Sequence, residues 1–352
     1  MTIHLTFLPD FPVAIKNGVG GSLGRRLYAG LGSAGKHFFY FDLDQSGGDW
    51  QPAADFPGVE RNDAVCVTTP KGLYVFSGAG NDPRHAHTSV LMDSYFFCVD
   101  TQQWHSLDTT LPVGLLGASA TAVNDHQLLF WGGYSKETFD ALMKQLSVAS
   151  SSEESTELIT VFMGQSVEAY GWNSLIWLYD VRKNTWEAIA RNPYPANCGA
   201  ALVRANDDYL LIEGEVKPGL RSLKTKCYRF DHQWRLTTKH TASIAEQWPH
   251  HEGIAGGYAS AVENAIILAG GAYFIGSQAN YQQGKLYSHQ GLTKHYSDTI
   301  WRHQNDEWAQ AGKLPIPSAY GVSIPSQDGL YVLGGETLDG QTLSCCYHLK
   351  AI

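Results

Sequence analysis

The stretch YLLIEGEVKPGLRS, Tyr209 to Ser222, carries a carboxylate and a guanidinium on either side of a tight turn. Leu210, Leu211 and Ile212 read as the apolar end of a strand, and Glu215 and Arg221 then bracket a Pro-Gly turn at Pro218 and Gly219. A carboxylate in such a place can take up and return a proton. A guanidinium can hold an anionic ligand through two parallel N–H bonds. Equivalent strands elsewhere in the chain end in Gly-Gly, so this pair stands where the chain otherwise favours small residues. A charge in a crowded, desolvated place is costly without a task or a partner. The plainer reading is a salt bridge that stiffens the loop.

The elements that must position this pair repeat along the chain. An apolar strand runs into a glycine-rich end in LYAGLG from Leu27, LYVFSG from Leu73, LLFWGG from Leu128, LLIEGE from Leu210, IILAGG from Ile266 and LYVLGG from Leu330. After each of the first five come an aromatic strand, a turn and a tryptophan: Trp50, Trp104, Trp186, Trp234 and Trp308. Each unit supplies four short strands, and the spacing of about 50 residues is that of kelch-type propeller blades. The fold expected is therefore all-β, a six-bladed kelch-type β-propeller forming a single domain over residues 1–352. A ring of blades buries both faces of each sheet, and the tryptophans are placed to pack between neighbouring blades.

The sixth unit stops at LSCCYHLKAI without its tryptophan strand, whereas HLTFLPDFPVAIKNG at the N-terminus matches the tail of a blade. The N-terminal strand is therefore expected to close blade six and remove its exposed edge; a seven-bladed ring is the alternative. An insertion at about 135–170 interrupts blade three. In it Phe139, Leu142, Met143 and Leu146 fall at helical spacing, and SSSEES reads as a polar loop. The helix either covers one end of the ring or serves as a substrate lid.

In an antiparallel meander the loop after the Gly-Gly strand shares a face with the connection into the next blade. That face is the default place for a ligand. It should carry Glu215, Lys217, Arg221, Asn280, Tyr281, Lys285 and Glu336 from one set of loops, and Arg61 and Tyr320 from the other. Glu215 and Arg221 are the catalytic candidates, and the rest are candidates for substrate binding. His85 and His87, and His250 with His251, lack clear metal-ligand spacing, so no metal site is expected.

The 352 residues carry a formal net charge of −9, which argues against nucleic acid or an anionic membrane surface as partner. With 43% hydrophobic residues a sizeable core is affordable. The six cysteines are scattered and form no CxxC pair, as expected of free thiols in a reducing compartment. There is no apolar run of membrane-spanning length and no signal-peptide pattern at the start, so the location expected is cytoplasmic.

The stretches EGEVKPGLRS, GGAYFIGSQANYQQGKLYSHQGLTKHYSDT, LYAGLGSAGK, FPGVERNDA and AYGVSIP with GGET resemble the N-acetylneuraminate epimerase family over almost the whole chain. The resemblance implies a six-bladed propeller that converts the α-anomer of N-acetylneuraminate to the β-anomer, with Glu215 and Arg221 as the catalytic pair. It implies no metal, nucleotide or redox cofactor, and a small-molecule sialic acid as partner. Family members typically work in the periplasm and carry a signal peptide. The resemblance also implies a basic residue before AYGVS, where this chain has Ser318. The oligomeric state stays open, a homodimer included.

Two other readings remain at this point. A kelch protein-interaction module would present apolar loop tips, since fold alone does not fix function. A copper oxidase on the same propeller would need a Tyr/His cluster in the funnel.

Overall fold

The computed structural model describes residues 2–45 and 47–352. Its six large sheets each contain four antiparallel strands, with the innermost strands of neighbouring blades packed around a common axis. Blade one is built from Val19–Leu23, Arg26–Gly30, Phe38–Asp42 and Gln51–Pro52, and blade four from Ala201–Ala205, Asp208–Ile212, Thr225–Phe230 and Leu236–Lys239. The expected propeller is present with six blades, not seven.

Blade six is completed from the far end of the chain. Ile3–Leu8 pairs antiparallel with Thr342–Ala351, Ile3 opposite Ala351 and Leu8 opposite Cys346. Next to this seam Phe11, Ile15, Leu27 and Trp50 share one buried cluster with Val322, Ile324, Leu333 and Cys346. The ring is thus fastened by backbone hydrogen bonds and by apolar packing between blades one and six.

Four of the five repeat tryptophans bridge blades as expected. Trp50 Nε1 donates to Pro9 O (3.0 Å), Trp104 Nε1 to Ala54 O (3.0 Å), Trp186 Nε1 to Thr109 Oγ1 (3.0 Å) and Trp308 Nε1 to Ala242 O (2.8 Å). Each indole therefore fixes a blade to the tail of the one before it while burying its rings. Trp234 differs. It lies ahead of its outer strand, with φ of 60°, and packs against Phe230 of the same blade.

The Gly-Gly signature has a conformational cause. In every blade two consecutive residues at or just beyond the end of the second strand adopt positive φ: Leu31–Gly32, Ser77–Gly78, Gly132–Gly133, Glu213–Gly214, Gly270–Gly271 and, within Gly329–Glu336, Gly334–Gly335. The second of each pair is always glycine, because a left-handed pair with two side chains is strained. This register shows that Glu213, not Glu215, replaces the variable glycine of blade four. Glu215 occupies the next position, equivalent to Tyr134 in blade three and Glu336 in blade six.

A second feature encircles the axis. Asn17 N donates to Tyr320 O, Tyr320 N to Gly256 O, Gly256 N to Gly199 O, Gly199 N to Gly117 O, Gly117 N to Asp63 O and Asp63 N to Asn17 O, at 2.7–3.0 Å. One residue from each blade thus closes a ring of backbone hydrogen bonds where the innermost strands begin. All six have φ between 53° and 67°. Three are glycines, and Asn17, Asp63 and Tyr320 carry side chains there.

The insertion forms two helices, Lys136–Val148 and Ser152–Met163. Leu142 and Phe162 pack with Tyr170 and Trp172. The SSSEES segment is a helix start rather than a loop. Ser151 caps the second helix by accepting from Glu154 N (3.1 Å), and the Glu154 carboxylate turns back to Ser150 N (2.7 Å). Among the described residues no helix is long and apolar enough to cross a membrane, and all six cysteines are free.

Candidate active site

Glu215 is held by its backbone. Its N–H donates to Cys198 O (2.8 Å) and its carbonyl accepts from Cys198 N (3.0 Å), in the connection leading into the same blade. Gly199, the next residue, belongs to the axial ring. Ala79 pairs with Asn62, Ala272 with Ala255 and Glu336 with Ala319 in the same manner. The repeat therefore delivers the residue after each glycine pair to the mouth of the funnel.

Arg221 pairs across the hairpin with Glu215 and is 2% exposed. Its Nε donates to Ala272 O in the next blade (3.1 Å), and its Nη2 reaches Tyr320 Oη (3.4 Å). Phe274 lies under the guanidinium, 5.0 Å from ring centre to Cζ. Nη1 is 3.0 Å from Glu215 Oε1, yet it is not directed into a hydrogen bond with any partner. Charge contact without alignment is worth much less than a directed bond. A buried donor left in this state is costly unless a ligand completes it.

Glu336 faces the same mouth but is fully engaged. Lys16 Nζ and Lys294 Nζ each donate to it at 2.5 Å, and Tyr296 Oη donates as well. Burial alone would raise this carboxyl; the hydrogen bonds from Lys16, Lys294 and Tyr296 outweigh it and bring it down to about 2. Glu336 is thus a fixed anion that holds two lysines. Lys294 also lies 5.4 Å from the centre of the Tyr320 ring.

Asp63 joins this group from the axial ring. Its side chain is open to the funnel, but the protein around it pushes its carboxyl up to about 7, and the charge of Glu215 adds to the rise. Burial and the Glu215 charge likewise raise Tyr134. Tyr320 is raised by burial, opposed by Arg221 and reinforced by Glu215, Asp63 and Glu336. Tyr320 holds a left-handed backbone, which a bulky residue rarely does. Its ring covers Gly256, where a Cβ would come within 2.3 Å of Tyr320 Cδ1.

Of the residues singled out from the sequence, the fold brings Glu215, Arg221, Tyr320 and Glu336 together. Arg61 is elsewhere in its chemistry: buried, it is held by both oxygens of Asp93 (2.7 and 3.1 Å) and by Ser77 O, with Phe56 and Tyr95 against its face. Lys217 is also buried, and its Nζ donates to Met163 O, Gln165 O and Leu286 O at 2.5–3.1 Å. It staples the helical insertion to the blade-five loop. Asn280 spans its own loop to Ser288 O (2.9 Å), and exposed Lys285 donates to Asn280 Oδ1 (3.1 Å). Tyr281 is half-buried beside Asn280 on the short helix Ser277–Gln282, which packs beside Leu220–Arg221 and donates from Gln278 Nε2 to Arg221 O (2.8 Å). His251 faces Glu213 (2.7 Å), and His85 and His87 stand together in an exposed loop.

Sequence reasoning missed Asp63, Tyr134, Lys16, Lys294 and Tyr296. A signal did exist for Tyr134 and for Asp63. Tyr134 follows a Gly-Gly pair as Glu215 follows Glu213–Gly214, and Asp63 precedes an innermost strand as Gly199 and Gly256 do. Lys16 comes from the connection into blade one, and Lys294 and Tyr296 from a short strand paired with Ala272–Phe274, outside the repeat. Below the mouth the innermost strands enclose an axial cavity of about 450 Å³ lined by small residues, among them Gly20, Thr68, Ala118, Ala200 and Ser323. The ionisable groups therefore gather at the mouth, above this cavity.

The description of N-acetylneuraminate epimerase matches residues 8–351 of the chain as a family model. The chain belongs to that family. A kelch domain-containing protein of Vibrio cholerae serotype O1 is 42% identical over 99% of both chains. The N-acetylneuraminate epimerase of Yersinia enterocolitica is 37% identical over 97% of this chain and 88% of its own. The solved structure of YjhT superposes with a TM-score of 0.90 at 32% identity, covering 96% of this chain and 95% of that one. The matched span, residues 8–351, includes every residue of the mouth.

Proposed function

We propose that this protein is an isomerase that speeds exchange between the α- and β-anomers of N-acetylneuraminate. Membership of the epimerase family supports the substrate. The observation that carries the chemistry is Arg221 Nη1, a buried guanidinium donor 3.0 Å from a carboxylate oxygen and without a directed hydrogen bond.

Exchange of anomers in a 2-keto sugar acid requires the ring to open at the anomeric carbon and reclose on its other face. No C–H bond breaks and no electron leaves the substrate. The substrate carboxylate is the natural ligand for the Arg221 fork, which is pre-set by Ala272 O and the Phe274 face. This places the adjacent anomeric hydroxyl beside Glu215, which takes its proton on opening and returns it on closure. Tyr320 Oη, on Nη2 of Arg221, marks the far side of the same pocket. Ring opening is already fairly easy without a catalyst, so one base and one anion clamp can account for a useful acceleration.

The test follows, by proton NMR, the signals of the C3 methylene protons beside the anomeric centre, which differ between the anomers, for α-N-acetylneuraminate freshly released from a glycoside. Protein should shorten the approach to the anomer equilibrium in proportion to its concentration. An unchanged time course at micromolar protein refutes the proposal.

A further inference from the structure

We propose that Asp63 is the second proton carrier of this site, protonating the ring oxygen as the sugar opens and taking that proton back as it closes. The inference rests on the anomer-exchange reading above and assigns the group that reading leaves unnamed.

The argument starts from the axial ring. Six residues close it with left-handed backbones, and glycine serves at three of them. A side chain at such a position is disfavoured for every residue except asparagine, aspartate and glycine. The ring needs no side chain for its hydrogen bonds, since these run from backbone N–H to backbone carbonyl. The ring bonds therefore make no use of the Asp63 carboxyl. The backbone of Asp63 is fixed from both sides, by Asn17 O and Gly117 N. Its side chain is exposed, and it stands two steps along the ring from Gly199, beside which Cys198 pairs with Glu215.

The groups around Asp63 can be named. Glu215 stands in blade four, Tyr134 and Cys198 in the loops beside it, and Tyr320 on the ring. Arg61, two residues upstream, is committed to Asp93. Two carboxyls that share a pocket do not ionise alike. Arg221 Nη1 stands 3.0 Å from Glu215 Oε1, whereas the protein packed around the funnel at Asp63 and the charge of Glu215 push the Asp63 carboxyl up to about 7. One carboxylate and one carboxylic acid are then present together, as opening requires.

The step balances without a co-reactant. Glu215 removes the proton of the anomeric hydroxyl, and the O–H electron pair becomes the carbonyl bond at C2. The bond from C2 to the ring oxygen breaks, its electrons stay on oxygen, and Asp63 supplies the proton. After rotation about the bond next to the carbonyl, Asp63 takes back the hydroxyl proton and the oxygen attacks C2 from the other face. The new anomeric hydroxyl receives its proton from Glu215.

Asp63→Asn is the first test, because asparagine keeps the shape and tolerates the backbone, as Asn17 does in the same ring. Anomer exchange should fall by about 10²–10⁴-fold, while binding of β-N-acetylneuraminate changes less than threefold. Wild-type turnover should decline as pH rises through about 7, and this limb should vanish in the variant. Asp63→Gly should be equally slow with an unreduced Tm. Independently of activity, carbon NMR of side-chain-labelled aspartates should show one carboxyl titrating near 7 that is lost in Asp63→Asn and moves down in Glu215→Gln. Wild-type exchange in Asp63→Asn, or an Asp63 carboxyl that titrates with ordinary aspartates, overturns the assignment and leaves the function standing. Failure of the wild-type protein itself to accelerate exchange refutes the function.

Discussion

Replacing Glu215 by glutamine separates proton transfer from anion binding. The substitution leaves the two backbone bonds to Cys198 in place, and the amide oxygen can still accept from Gly219 N, now 3.3 Å from Oε1. What disappears is the basic site and its negative charge 3.0 Å from Arg221 Nη1. Loss of a general base slows turnover by about 10²–10⁴-fold, or roughly 2.7–5.4 kcal/mol of barrier. Binding should move the other way. A substrate carboxylate on Nη1 would sit about 4 Å from Oε1, where two like charges at an effective dielectric of about 20 repel by about 4 kcal/mol. The side chain of Glu215 is 19% exposed, so water reduces this, and a gain of up to about tenfold in affinity is expected. Loss of the charge contact costs the fold about 1–2 kcal/mol, a fall in Tm of no more than about 5 °C. Magnetisation-exchange NMR gives turnover, calorimetry gives the dissociation constant and a thermal scan gives Tm. Wild-type turnover in Glu215→Gln, with the fold intact, refutes the role given to Glu215.

Arg221→Lys keeps the charge and loses the fork, so sialate affinity should fall by about 1.5–3 kcal/mol, the worth of a charged hydrogen bond; unchanged affinity by calorimetry would remove Arg221 as the clamp. Deleting residues 1–9 removes the six-residue pairing with Thr342–Ala351 and the Pro9 acceptor of Trp50. Tm should then drop sharply and the protein should associate through the bared edge, so an unaltered Tm and a monomeric elution profile would contradict the closure. Glu336 has its carboxyl lowered to about 2 by Lys16, Lys294 and Tyr296 against the opposing effect of burial. Its contribution to stability is therefore complete above about 4.5 and is lost as pH falls through about 2. With allowance for the water in the mouth it amounts to on the order of 2 kcal/mol. Urea melts of wild type and Glu336→Gln should differ at pH 7 and converge towards pH 2, and a constant difference across that range would show that the lysine contacts do not stabilise the anion.

The fold was legible because it is periodic. The strand that ends in two left-handed residues repeats six times, and each repetition leaves a glycine at a position where other residues are strained. The truncated sixth unit and its complement at the N-terminus are equally local, so the closure by Ile3–Leu8 could be read without coordinates. Glu215 and Arg221 were legible for the same reason, since they bracket one hairpin turn. The SSSEES segment misled because serine serves both loops and helix starts, and only the Glu154 contact to Ser150 decides between them.

The rest of the mouth was decided by tertiary structure. Arg61 and Lys217 read as binding residues because a charge in a loop has no partner visible in sequence; Asp93 and the carbonyls of Met163, Gln165 and Leu286 supply the partners only on folding. Lys16 and Lys294 meet on Glu336 from segments far apart in the chain. The axial ring takes one residue from each of six blades, each two positions before its innermost strand, and only closure of the ring makes neighbours of Asn17, Asp63 and Tyr320. A repeat determines which local conformation each segment takes, because φ and ψ answer to the residue itself and its nearest neighbours. Which side chains share a pocket depends on closing the ring, and that brings together residues whose separation in the chain bears no relation to their distance in space.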